Sequence, residues 1–370
     1  MTAIEEITCD EIGNPFTALS FLRYMRKSSS HWWNEETQIR SSWVFRGQWD
    51  ARWKLVPTAA RADYAGVPDF KRLVDDVEKH LGVHAPKWHS LTAIEKDKSL
   101  RCWAHLFSVS RFIELARELH FDVRETPKQS QTIFPWLESD GHKDFGMDAA
   151  HGIAEAFLGN YGPAEKFNFH TEPIIALAQH HGIATFVLDW TENPLAACYF
   201  ASQMPRSESA PEGLAVWALN SHVLNQIASF RLTTQPCNVE VSRPAKSKNL
   251  YLAHQSGVVS YIPNPDRLWD QNGSYPDLEQ VFQMCDRDHV QAMLENWENF
   301  DDEAAKREYI ETAMKSLPDL VFLRKIVLCE SELPALRRLL LREGVSKAHM
   351  MPSLDNVAST AMASLSGEFL

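Results

Sequence analysis

The chain has 370 residues, 44% of them hydrophobic and 23% charged. That balance excludes disorder over most of the length, and the chain is long enough to bury a core without disulfide or metal staples. Its 37 Lys and Arg against 49 Asp and Glu give a formal charge of −12, which argues against coating duplex nucleic acid as the main function, because phosphate contacts supply most of that affinity.

A small basic pocket for one nucleotide is still compatible with this charge. At roughly 150 residues per domain, the length predicts about two domains, or one domain with long insertions. Cys9, Cys102, Cys198, Cys237, Cys285 and Cys329 are widely scattered and form no C-x-x-C pair. They read as reduced thiols of a cytoplasmic protein, with no metal site expected. No apolar run reaches the length of a membrane span, so no membrane association is expected. The start, MTAIEEITCDEIGNPF, has no basic segment before an apolar one, so no secretory signal is expected.

In chain order, Asn14-Pro15 predicts the start of a first helix running through FTALSFLRYMRK. SWVFRGQ (42–48) predicts a strand with Trp43, Phe45 and Gly47 on one face and Val44, Arg46 and Gln48 on the other. Helical periodicity dominates 65–165, as in RCWAHLFSVSRFIELARELHF (101–121), with a loop expected at 138–148. Residues 171–203 parse as helix, strand, helix. Thr171 caps the first helix, Gly182 stops it, ATFVLDW (184–190) is a short buried strand, and Asn193-Pro194 starts the next helix.

A loop is expected at 205–213, followed by strands at LAVWALN (214–220) and GVVSYI (257–262). Residues 276–317 read as helical and acidic, with a solvated patch at 301–303. VFLRKIVL (321–328) reads as a strand, and SELPALRRLLLREG (331–344) as a helix capped by Ser331 and ended by Gly344. The expected fold class is α+β: a mixed small sheet core with a helical insertion and flanking helices. The expected organisation is an N-terminal helical segment (1–40), a core made of 41–64 and 166–360, an inserted helical segment (65–165) and a tail (361–370).

Three clusters carry candidate chemistry. In FRGQWDARWKLVPTAAR (45–61), Arg46, Arg52, Lys54 and Arg61 lie among Phe45, Trp49 and Trp53. A guanidinium presents a planar fork matched to phosphate oxygens, and Gly47 would let a ligand approach the backbone. Two readings stand: a phosphate or pyrophosphate clamp, or a structural arginine paired to Asp50 or Asp189. In QHHGIATFVLDWTENP (179–194), His181, Asp189, Trp190 and Thr191 bracket one strand. Adjacent histidines on a helix diverge by about 100°, so His180 and His181 do not make a metal pair. Polar recognition by Asp189 and Thr191 competes with a helix-capping role. In AHQSGVVSY (253–261), Gln255 is either a ligand contact or a turn residue. No G-x-S-x-G, G-x-x-x-x-G-K-[ST] or G-x-G-x-x-G motif occurs.

Together these clusters resemble the FRG domain family, named after the tripeptide found here as Phe45-Arg46-Gly47. The match extends to FRGQ with Gln48, to Trp53-Lys54-Leu55-Val56-Pro57 and Arg61, to AQHHGIATFVLDWTENPLAACYFA (178–201), to HQSG (254–257) and to MPSLDNVA (351–358). The family occurs in bacterial and phage proteins. A weaker resemblance, to the ADP-ribosyltransferase core, rests on the order Arg46, Thr191 with NPLAACYFA, then Gln255. It implies NAD as substrate. Arg46 would hold the ribose or pyrophosphate, Asp189 and Thr191 would order the site, and Tyr199 or Trp190 would stack the nicotinamide.

The transferase Glu is replaced here by the neutral Gln255, so that carboxylate would have to come from Asp189 or Glu279. The resemblances imply an NAD-using ADP-ribosyltransferase or NAD glycohydrolase-like effector, with a protein or nucleic acid as acceptor. Two alternatives stand beside it: a non-catalytic nucleotide-binding sensor or interaction module, and a protein acting on single-stranded nucleic acid.

Overall fold

A computed structural model of the chain describes residues 4–34, 39–40, 42–64, 66–84, 86–121, 173–203, 213–229, 239–244, 250–263, 265–284, 302–316 and 321–365, with positions 291 and 295. The fold is α+β. The chain divides into two compact units. The first comprises Met1–Leu55, Asp189–Ser260 and Asp277–Leu370, and the second comprises Val56–Leu188 and Tyr261–Pro276.

The first unit is built on a seven-stranded mixed sheet. Its strands are β1 (Ile4–Ile7), β4 (Trp43–Gln48), β5 (Leu188–Thr191), β6 (Gly213–Asn220), β7 (Glu240–Ser242), β8 (Gly257–Tyr261) and β9 (Leu323–Cys329), in the spatial order β1-β9-β6-β4-β5-β8-β7. The two-residue strands β2 (Trp33–Asn34) and β3 (Ile39–Arg40) form a separate antiparallel ribbon. β6 is a continuous apolar run, buried along nearly its whole length, the pattern of a strand covered on both faces. It pairs antiparallel with β4, Phe45 opposite Ala218 and Gly47 opposite Val216, and antiparallel with β9, Val216 opposite Ile326. β1 closes the edge in parallel with β9.

The core on one face joins this sheet to α1 (Ala18–Met25), to the helix Pro194–Ala201 and to the helix Leu333–Arg342. Phe21, Leu22, Trp32, Phe45, Ala197, Val216, Leu336 and Leu340 are fully or almost fully buried there. The helix expected from Asn14-Pro15 begins later. Thr17 is the N-cap, and its side chain and that of Ser20 form a reciprocal capping box. Asn14 and Pro15 instead close a turn in which the Asp10 carboxylate accepts from the amides of Ile12 and Asn14, while Pro15 bridges to Cys9. The helix expected to be capped by Ser331 starts at Leu333, after a 3₁₀ turn over Glu330–Glu332. The Glu332 carboxylate is spent elsewhere, accepting from Ala18 N at 2.7 Å in the first turn of α1. Gly344 does end that helix region, at φ 73°.

The second unit contains α2 (Pro68–His84), α3 (Ala93–Glu118), α4 (Pro173–His180) and the helix Asp266–Asn272. α3 opens with a Thr92–Glu95 capping box and buries Trp103, Leu106, Val109 and Ile113. Arg101 is buried: Nε donates to Asp97 at 2.8 Å, and Nη1 to the carbonyls of Ala59 and Arg61. The buried strand expected over 184–190 is shorter, because only Leu188 onward joins the ladder. Thr185, before it, spends its backbone hydrogen bonds on the 58–59 segment: Ala59 N donates to Thr185 O, and Thr185 N to Thr58 Oγ1, both at 3.1 Å. The expected Thr171 cap and the loop at 138–148 lie outside the described residues, as does the loop at 205–213 except Gly213, which opens β6.

Candidate functional site

Period-2 alternation in β4 turns Phe45 into the core, where its ring meets Trp32 edge-on with centroids 4.8 Å apart, and sends Arg46 to the other side. The antiparallel pairing of Phe45 with Thr191 then places the start of β5 beside Arg46. Arg46 Nη1 donates to the Asp189 backbone carbonyl at 2.8 Å and to its carboxylate at 2.5 Å. The Arg46 side chain is 12% exposed and that of Asp189 68%. Arg46 Nε is buried and has no acceptor among the described residues. Asp50, the other carboxylate considered for Arg46, is gripped by the Arg52 guanidinium through contacts of 2.9 and 2.6 Å, which holds its carboxyl below the usual range.

Thr191 donates to the Gln255 carbonyl and accepts from Asn193 N at 3.0 Å. Asn193 in turn caps the helix α5 (Pro194–Ala201). Gln255 lies at the end of α7 (Leu250–Gln255), with α6 (Ser221–Ser229) preceding it in the chain. Its amide donates to the Met350 carbonyl at 3.0 Å. Gln48 accepts from the buried Trp217 Nε1 at 2.7 Å and donates to Lys54 O. Trp190 is buried with its indole on Ser260 Oγ at 2.7 Å. Tyr199 is buried in the core cluster, and that burial pushes its phenol up to about 12. Gly47 faces α5 so closely that a Cβ there would overlap the Ala197 carbonyl oxygen. The close approach that glycine permits is that of a helix.

These residues all belong to the first unit. Arg61 and His181 belong to the second. The Arg61 carbonyl holds Arg101, and the exposed His181 ring stacks on Phe112 with centroids 6.0 Å apart. The structure thus brings Arg46 and Asp189 together at an accessible position, and gives Phe45, Gly47, Gln48, Trp190, Thr191, Tyr199 and Gln255 contacts that hold the sheet and its helices.

Glu279 opens the helix Leu278–Gln283 beside Asp277. Burial raises both carboxyls, the Asp277 charge raises Glu279 further, and Lys54 and Lys325 oppose the rise. Asp277 did not emerge from sequence reasoning, although Pro276-Asp277-Leu278-Glu279 carries an N-cap pattern. Its carboxylate accepts from Leu55 N and Glu279 N. Among the described residues no group of three or more His, Cys, Asp and Glu side chains is arranged to hold a metal ion, and no helix is long and apolar enough to cross a membrane.

An exposed carboxylate on a largely buried guanidinium can exchange for another oxyanion, and no other pairing in this group offers that chemistry. No curated protein and no solved structure matches the chain. The family model of the FRG domain matches residues 130–210, a stretch that contains the Ala178–Ala201 signature together with Asp189, Thr191 and the whole of α5. The chain therefore carries an FRG domain.

Proposed function

We propose that this chain is a nucleotide-binding module in which Arg46 takes a phosphate or pyrophosphate oxygen in place of the Asp189 carboxylate. One observation carries the reading. Both recorded bonds of the Arg46 guanidinium use Nη1, while the buried Nε has no acceptor among the described residues. A guanidinium carries five N–H donors, and the Nε–Nη2 edge is the one that meets an oxyanion through two parallel bonds. A buried donor without a partner costs about 1–3 kcal/mol, and a ligand oxygen there recovers it. Asp189 is 68% exposed, so its carboxylate keeps most of its hydration as it moves aside, and the incoming oxyanion takes over the pairing with the guanidinium.

A second reading, an NAD-consuming ADP-ribosyltransferase or glycohydrolase, is favoured by the exposure of Asp189 itself. That carboxylate could stabilise the oxocarbenium-like centre, a task the neutral Gln255 amide, committed to Met350 O, does poorly. Binding alone requires less of the site and is the primary conclusion.

The test is thermal melting of the full chain with NAD, ADP, ATP and inorganic pyrophosphate, with free nicotinamide followed in the NAD sample. A bound nucleotide at a hundredfold excess over Kd adds about 2.7 kcal/mol. The shift is expected to vanish in Arg46→Met, checked for folding by circular dichroism, and to grow in Asp189→Asn, which removes the competing charge. A melting curve unmoved by all four compounds overturns the reading. Nicotinamide released by wild type but not by Arg46→Met would promote the second.

A further inference from the structure

The helix Leu354–Leu365 belongs to the first unit and packs chiefly on the short helix before it, Lys347–Met350. Its start is fixed. Ser353 Oγ accepts from Asn356 N, the Ser353 carbonyl accepts from Val357 N, and Asn356 Nδ2 donates to the Met351 carbonyl at 2.7 Å. Beyond the first turn, its side chains add little packing: none of those described, Leu354 to Met362, is buried. A helix of about 12 residues is marginal in water by itself and draws its stability from packing an apolar face.

Such a face is present. Leu354, Val357, Ala358, Ala361 and Met362 recur at helical spacing, and Leu365 continues it in the sequence. Leu354 is 86% exposed, Val357 51% and Met362 67%. Asp355, Asn356, Ser359, Thr360 and Ser364 fall on the other side by the same spacing.

The pattern selects the occupant. Turning the helix end for end about the point between 359 and 360 maps position 354 onto 365, 357 onto 362 and 358 onto 361. Two copies laid antiparallel about a two-fold axis therefore set an apolar position against an apolar one at every level, as an isologous contact requires. Alanines meet at the centre, where the backbones come closest, and larger side chains meet at the ends. Charge agrees. Asp355 is the helix's one ionisable side chain. In the antiparallel pair its two copies lie about 14 Å apart along the axis, at 1.5 Å per residue, beyond the roughly 8 Å screening length of physiological salt. The neighbouring helix adds Lys347 and His349, neither of them acidic. The face thus carries no charge pattern to select a charged partner and none to repel its own copy.

We infer that the helix Leu354–Leu365 is a self-association surface through which two copies of this chain form an antiparallel pair. One short helix per copy, about 18 Å long, buries less than the roughly 1,200 Å² of a stable interface, so the dimer is a transient one.

The test is sedimentation velocity of the full chain in reducing buffer, from about 1 to 300 μM, a range that suits a weak dissociation constant. A monomer–dimer equilibrium is expected. It should strengthen between about 50 and 500 mM salt, which screens the repulsion between two chains of like net charge. Ala358→Glu places a carboxylate at the centre of the contact and is expected to weaken the dimer at least about tenfold. Ala361→Lys is expected to do the same. An equimolar mixture of the two variants is expected to recover the dimer, because positions 358 and 361 face each other across the axis. Ser359→Glu, on the polar side, is expected to change nothing. These positions are exposed, and circular dichroism checks that each variant folds. A monomer at every concentration, a dimer that salt weakens or that survives Ala358→Glu, an equal loss in Ser359→Glu, or no recovery on mixing overturns the proposal.

Discussion

Replacing Gly47 by alanine places a methyl group against the backbone of α5. The new Cβ would overlap the Ala197 carbonyl oxygen and lie 2.5 Å from Ala201 N and 3.0 Å from Ala197 C. Ordinary contact is near 3.5 Å, so clearing the Ala197 oxygen takes a retreat of the helix from β4 by about 1.5 Å. All three neighbours are backbone atoms, so no side-chain rotation relieves the clash. The retreat opens a gap beneath Ala196, Ala197, Cys198, Tyr199 and Ala201, all buried now. A gap of 0.5–1 Å forfeits about a quarter to a half of each dispersion contact across it. With about 1–3 kcal/mol for overpacking, the expected cost is roughly 3–4 kcal/mol, a large part of a typical domain stability of about 5–15 kcal/mol.

Native-state amide exchange on peptides from β4 and β6 reads this locally, which matters in a chain with two units. Exchange there is expected to speed up about a hundredfold to a thousandfold, at 1.4 kcal/mol per tenfold. Gly13→Ala is the control. Its φ is +83° and nothing lies within 4 Å of the added Cβ, so only left-handed strain of about 1–2 kcal/mol applies. Less than about fivefold acceleration in Gly47→Ala, near 1 kcal/mol, refutes the close-packing argument.

Gln48→Leu strands the buried Trp217 indole N–H and is expected to cost about 1–3 kcal/mol. Combining it with Trp217→Phe is expected to cost less than the sum of the two changes, and a denaturation cycle additive to within about 0.5 kcal/mol contradicts the pairing. His105 is fully buried, and desolvation pulls its imidazole down to about 4, against a smaller upward pull from the Ala184 carbonyl at 3.2 Å. Its folded value lies below the unfolded one, so the unfolded chain binds the extra proton. Stability is whole above about pH 6.5 and declines as pH falls toward 4, by about 2 kcal/mol at pH 5. A His105→Phe variant that keeps the wild-type pH dependence in urea melts would show that another group is responsible. Cys329 is exposed and its thiol is pulled down chiefly by the Ser331 hydroxyl, whereas Cys198 is buried and its thiol pushed up. Iodoacetamide at pH 7.5 should label Cys329 well before Cys102 or Cys198, and mass spectrometry finding the reverse order overturns the burial assignment.

Short-range pattern alone determined much of this protein. The alternation of WVFRGQ, the unbroken apolar run LAVWALN and the segments GVVSY and LRKIVL are strands in the structure. Asn193-Pro194 starts a helix, as its capping chemistry requires. Such patterns encode which residues are buried and where the backbone turns, and both are settled within a few residues. Ser331 and Asn14-Pro15 show the limit of that information. Both have capping composition, but Glu332 is drawn to α1 and Asp10 organises the turn around Asn14.

Partners were decided by the tertiary structure. Arg46 and Asp189 stand 143 positions apart, and only the pairing of β4 with β5 makes one the acceptor of the other. Gly47 reads equally well as a gap for a ligand or for a helix until α5 is seen to fill it. Residues 184–187 have strand composition, yet the backbone of Thr185 bonds to Thr58 and Ala59 and the Ala184 carbonyl meets His105. A polar side chain or a backbone amide can be satisfied by many partners at similar free energy, so local sequence states the demand and the long-range fold chooses the supplier.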